Sequence, residues 1–154
     1  MKSELIETWQ IHNRINGYLI DGIEQEEFLQ DKTANKGRTV GEQLAHIHNV
    51  RLMWLKEAAP ELFKDMRKIE KTDSLDKSLL KERLNESGTA IEKLLIKGFE
   101  ENKIKGFKPH PQAFLGYLIA HESHHRGQIV ISLKYCGHPV SKKVGFGLWQ
   151  WGTR

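Results

Sequence analysis

The chain has one cysteine, Cys136, so no internal disulfide can form and a disulfide-stapled domain is excluded. Long apolar runs are missing as well. No stretch approaches the roughly 18 apolar residues that cross a bilayer, so no membrane partner is expected. Met1-Lys2-Ser3-Glu4 lacks an apolar signal core, and with so little cysteine the expected compartment is the cytoplasm. There is no excess of one charge sign: 24 Lys+Arg against 20 Asp+Glu leaves +4, too mild to imply a nucleic-acid partner. Internal repeats, low-complexity segments and alternating strand patterns are absent too. The 154 residues fit one domain spanning the whole chain, residues 1–154. What the chain holds in quantity is histidine, eight in all: His12, His46, His48, His110, His121, His124, His125 and His138.

Helical periods dominate. Leu5, Ile6, Trp9, Ile15 and Leu19 place an apolar stripe on a helix from about Ser3 to Ile20, with His12 on the stripe. Asp31 to Arg38 reads as a polar connection. Thr39-Val40-Gly41-Glu42 has the form of a capping box opening a second helix, which stops near Ala58 before Pro60. Asp73 or Ser74 is the expected cap of a third helix reaching about Phe99, weakened at Gly88 by about 1 kcal/mol. A fourth runs from Pro111 to Tyr135, with Gly137 at its end. Four long amphipathic helices imply an all-α, four-helix bundle with a short irregular tail.

The sharpest local pattern is His121-Glu122-Ser123-His124-His125-Arg126-Gly127-Gln128. At about 100° per residue, His121 and His125 stand one turn apart on one helix face and can share a cation. Gln128 lies on the same side, while Arg126 is expected to point well away. Two imidazoles make a weak site, and bundles supply further ligands from facing helices. His46 sits among Leu44, Ala45 and Ile47 and continues a stripe through Val50, Met53 and Trp54. His48, about 200° round the helix, is expected to be exposed. His46 is therefore the preferred third ligand, for zinc, nickel, copper or iron. The plainer reading is a hydrogen-bonded histidine cluster without metal. His121 to His125 also matches H-E-x-x-H, but a longer protease pattern needs Gly at 128 and His at 131, where Gln128 and Ile131 stand. Glu122 reads instead as the partner of a basic group.

Val40-Gly41-Glu42-Gln43-Leu44-Ala45-His46-Ile47, Trp54-Leu55, the His121–Ile129 block and Gly147-Leu148-Trp149-Gln150-Trp151-Gly152 together resemble the DinB/YfiT-like family of small metal-dependent enzymes. The resemblance runs almost end to end. It implies a four-helix bundle with a divalent ion, nickel or zinc, on His46, His121 and His125. Related branches include S-transferases that use low-molecular-weight thiols and a thiol-dependent isomerase.

Three neutral ligands leave a cation its charge and an open position, which suits catalysis. The expected activity is a metal-dependent reaction on a small molecule, thiol S-transfer or hydrolysis. The alternatives are a stress-response bundle with a structural metal, or one that binds nucleic acid weakly through Lys142, Lys143 and Arg154. His12, Trp54, Tyr117, His124 and Gln128 are candidates for the pocket wall or for orienting ligands, against plain packing roles. Cys136 reads as a small buried apolar residue. The Trp149-Trp151 tail either covers a surface or tethers the terminus, and bundle faces suit a homodimer.

Overall fold

The computed structural model describes residues 1–154. Its helices are α1 (Lys2–Asp21), α2 (Val40–Ala58), the short α3 (Pro60–Phe63), α4 (Lys77–Glu101), α5 (Pro111–Tyr135) and the short α6 (Lys142–Gly147). A 3-10 turn, Glu26–Gln30, lies in the link after α1. No helix is long and apolar enough to cross a membrane.

Local chemistry explains the helix ends. The Glu42 N–H donates to Thr39 Oγ1 at 3.1 Å, and the Thr39 N–H donates to Glu42 Oε2 at 2.8 Å. This reciprocal pair satisfies two free donors and starts α2 at the expected place. The α4 start differs from expectation. Asp73 uses its carboxylate to accept the Glu70 N–H and closes a turn in the link, so Asp76 becomes the cap, accepting the Leu79 N–H at 2.7 Å. Two aspartates three residues apart offer the same capping chemistry, and sequence alone does not rank them. Helix α5 opens with Pro111 and is followed by Gly137 in the left-handed region, φ +81°.

Going round the bundle the order is α1, α4, α2, α5, because α1 packs on α4 and α5 while α2 packs on α4 and α5. Helices α2 and α4 run the same way: Arg51 meets Leu84 and Ser87, and Glu61 meets Lys97. The link between two parallel helices must travel back along the bundle. Residues 64–76 do so along α2, where the Asn49 side chain holds the Ile69 backbone through two hydrogen bonds of 2.9 Å. His48 Nε2 donates to the Arg67 carbonyl at 2.8 Å.

This return strand of chain corrects the expectation for His48. The face about 200° round from His46 is not solvent, because the link covers it, and His48 is fully buried. Gly88 is also explained. The Trp9 indole N–H donates to the Gly88 carbonyl at 2.9 Å, and a Cβ at 88 would lie 2.5 Å from Asn13 Nδ2. The helix-propensity cost offsets against a close α1–α4 approach.

The apolar core falls into two halves. One gathers Trp9, Leu52, Leu55, Leu94, Leu95, Phe114 and Leu118; the other gathers Leu19, Ile20, Leu44, Ile47, Leu80, Ile129 and Leu133. Along each long helix, buried polar residues lie between these halves: His12 and Asn16 on α1, His48 and Arg51 on α2, Ser87 on α4, Glu122 and Arg126 on α5. The tail packs on the end of α1, with the Arg154 guanidinium 3.7 Å from the centre of the Tyr18 ring and the Arg14 guanidinium donating to the Arg154 carbonyl. Arg154 thus ties the end of the tail to α1, while Trp149 is exposed. Cys136 is half-buried rather than core, its Sγ 3.4 Å from the Lys32 carbonyl oxygen.

Candidate metal centre

Helix α5 sets His121 and His125 one turn apart, and α2 lies alongside, bringing His46 to the same place. The ligand atoms of His46, His121 and His125 all lie within 4.8 Å of one another. His121 Nε2 and His125 Nε2 are 3.2 Å apart. Two nitrogens on a tetrahedral ion with bonds of 2.0–2.1 Å would stand about 3.3 Å apart, so this pair has ligand spacing. His46 is the looser member, its ring centre 4.6 Å from that of His125 and 5.4 Å from that of His121.

A residue not singled out from the sequence sets the orientation. Gln43, three residues before His46 and therefore on the same face of α2, is buried and accepts the His125 Nδ1–H on Oε1 at 2.6 Å. An amide oxygen can only accept, so the proton sits on Nδ1 and the Nε2 lone pair faces His121 and His46. The i, i+3 spacing of Gln43 and His46 was the available signal. His121 Nδ1 is buried without a partner.

Burial and neighbouring charges disfavour protonation of these rings. Burial lowers the His46 pKa, and the Arg38 and His121 charges lower it further. His121 is lowered chiefly by burial, with Glu122 opposing. His125 falls to about 4 through burial and then the like charges of His121 and His46. Neutral imidazoles crowded nitrogen to nitrogen form a donor set that fits a borderline-soft divalent ion.

The other half of the same α5 segment does something different. Glu122 accepts Arg51 Nε at 2.8 Å and Arg51 Nη2 at 2.6 Å, and also Asn16 Nδ2 at 2.9 Å. His12 Nε2 completes the set at 3.0 Å. Arg126, expected to point away, is buried in this layer and donates to Asn16 Oδ1 at 2.7 Å and Ser123 Oγ at 2.9 Å. Its third contact, with His12 Nδ1 at 3.3 Å, requires that nitrogen to accept, which assigns His12 as the neutral Nε2–H tautomer. The reason for the correction is that α5 packs against both α1 and α2, so its buried arc is wider than one stripe. Burial opposes ionisation of Glu122, but the Arg51 charge and the Arg51 and His12 hydrogen bonds outweigh it, holding the carboxyl well below the usual range. Burial lowers Arg126 to about 10.

The remaining candidates separate. His12 sits in the buried layer, outside the three-histidine group. His124 is exposed, its ring centre 5.2 Å from that of His125. Gln128 is half-buried, with Oε1 buried and unpartnered. Trp54 and Tyr117 belong to an aromatic cluster with Phe107 and Phe114, and Tyr117 stacks toward His121 at 6.2 Å between ring centres. On the opposite side His46 lines an open cleft of about 710 Å³, bounded by the link before α2 and the link before α4.

Over residues 1–144 the sequence matches the model of the DinB family. The chain belongs to the DinB family. Two solved structures share its fold. A DinB-like protein from Bacillus cereus ATCC 10987 is 21 % identical with a TM-score of 0.70, covering 89 % of this chain and 93 % of that one. A DinB-like protein from Bacillus subtilis is 20 % identical with a TM-score of 0.62, covering 88 % and 93 %. No curated protein matches the sequence. At these identities the two DinB-like structures speak for the architecture alone: an all-α bundle with four long helices.

Proposed function

We propose that this DinB family member is a divalent-metal-dependent enzyme acting on a small molecule, with His46, His121 and His125 as the metal ligands and S-transfer from a low-molecular-weight thiol as the reaction. One observation carries the reading: three neutral imidazoles from two helices converge within 4.8 Å, and Gln43 fixes the His125 lone pair toward the common point. When bound, a nickel or zinc ion supplies Lewis acidity, which lowers the pKa of a coordinated thiol or water. Three protein ligands leave a position open, the arrangement of catalytic rather than closed structural sites. His46 and His121 are half-buried, so the site is reachable from solvent.

The chain's own residues do the rest. Gln43 orients His125, the aromatic group of Trp54 and Tyr117 walls one side of His121, and the Glu122 layer anchors α5 against α1 and α2. Cys136 lies eleven residues beyond His125, roughly three helical turns away, so the reading takes the nucleophile from the small-molecule thiol and not from this cysteine. The test is a thiol-plus-electrophile assay on protein with a measured metal content. Turnover should scale with the ion and vanish in His121→Ala. A bound ion that raises the melting temperature while no thiol or water reaction depends on it would make the site structural and overturn the enzymatic reading.

A further inference from the structure

The cleft beside His46 has two walls of unlike origin. One is the link before α2, which carries Lys36 and Arg38; the other is the link before α4, which carries Lys68 and Lys71. The second wall is not loose surface. Asn49, one turn beyond His46 on α2, clamps Ile69 between Lys68 and Lys71 through both its amide atoms at 2.9 Å, and His48 holds the Arg67 carbonyl beside it. The helix that presents His46 therefore also holds the backbone segment from which Lys68 and Lys71 project.

The charges on these walls are unequally matched. Lys68 reaches Glu70 at 3.9 Å, whereas Lys36, Arg38 and Lys71 have no carboxylate within 4.0 Å. Three carboxylates, Glu42, Glu70 and Asp73, share the lining with the four cations; Glu42 Oε2 and Asp73 Oδ2 are turned to the Thr39 and Glu70 N–H groups rather than to a cation. Arg38 lines the same cleft as His46, on the wall formed by the link before α2. A guanidinium presents paired donors that match the two oxygens of a carboxylate or phosphate. Cations facing one another across a cleft also repel, and an anion between them relieves that repulsion.

We infer that the cleft between the Lys36–Arg38 and Lys68–Lys71 segments is the binding site for the acidic end, carboxylate or phosphate, of the small molecule whose reactive atom meets the metal centre at His46. The substrate class is thus an anionic thiol or an anionic electrophile, with Arg38 and Lys71 as the principal contacts. This deepens the enzymatic reading above and rests on it for the position of the reactive atom.

Two titrations at fixed pH and low salt test it. In the first, metal-loaded protein is titrated calorimetrically with mercaptosuccinate, which carries two carboxylates, and with neutral 2-mercaptoethanol. The acidic thiol should bind about tenfold more tightly, the size expected of a few partly exposed charge-assisted contacts. In the double variant Arg38→Ala, Lys71→Ala the ratio should fall close to one, with the 2-mercaptoethanol affinity unchanged. In the second, metal-free protein is titrated with succinate and, separately, with inorganic phosphate, and backbone amide resonances are followed. Residues 36–38 and 68–71 should shift with whichever anion binds, and should not shift in the double variant. Equal affinity for the two thiols together with silent amides would overturn the cleft and leave the metal reading standing. Amide shifts with no binding of either thiol to loaded protein would support an anion site, refute its link to the centre, and count against the thiol reaction.

Discussion

One stretch of α5, His121 to Arg126, supplies two polar regions that differ in a single respect. Around Glu122 and Arg126 the polar atoms answer one another: a carboxylate between Arg51, Asn16 and His12, and a guanidinium among Asn16, Ser123 and His12. Around His121 and His125 they do so only in part: His125 Nδ1–H is answered by Gln43, but ring nitrogens converge on ring nitrogens and His121 Nδ1 has no partner. A satisfied buried network holds helices in register. A converging set of imidazole nitrogens with a buried unpartnered atom is a group that could hold a further atom, such as a metal ion. The H-E-x-x-H spelling conceals this division, since its Glu belongs to the first region and its histidines to the second.

The comparison can be broken most forcefully at Glu122. Glu122→Ala leaves Arg51 buried with its charge uncompensated, and removal of one partner from such a pair costs about 3–5 kcal/mol. Urea unfolding should register a loss of that size. His121→Ala should cost metal-free protein far less, under about 1 kcal/mol, while abolishing stoichiometric metal binding, because that half-buried ring carries no buried charge and its one side-chain contact through nitrogen is with His125. Similar losses from both substitutions would erase the distinction between the two regions.

A smaller effect sharpens it. Gln43→Ala keeps all three imidazoles but frees the His125 ring, so metal affinity should fall about 10–100-fold in a competition titration. An unchanged affinity would reduce Gln43 to packing.

A separate effect is on pH dependence. Burial holds His12, His48 and His125 below the usual 6.5, His125 down to about 4. As pH falls from 6.5 toward those values, the unfolded chain binds protons that the folded chain refuses. The stability of metal-free protein should therefore decline steadily across that window. Glu122 adds a loss of the same sign on further acidification below 4.5, its ordinary value. A melting temperature that stays level from pH 6.5 to 4 would contradict the buried neutral histidines.

Much of this was readable in the residues. The Thr39/Glu42 box and the Pro111–Gly137 limits mark α2 and α5 because capping chemistry is local. The i, i+4 pair and the stripe through His46 are likewise local, and the structure brings those three rings together. What escaped was tertiary. His48 and Arg126 looked outward on a lone helix, but a returning link covers one and a neighbouring helix the other. Gln43 shares the His46 face at i, i+3, but its role in orienting His125 rests on a contact between two helices that the spacing does not give. The start of α4 turned on which of two aspartates was already occupied by a turn.

The most direct test of the centre is metal analysis with X-ray anomalous scattering on protein purified without a metal-affinity column. One divalent ion per chain is expected, bonded to nitrogens of residues 46, 121 and 125 at 2.0–2.1 Å, the length usual for zinc. A metal-free protein, or an ion held without residue 46, would contradict it.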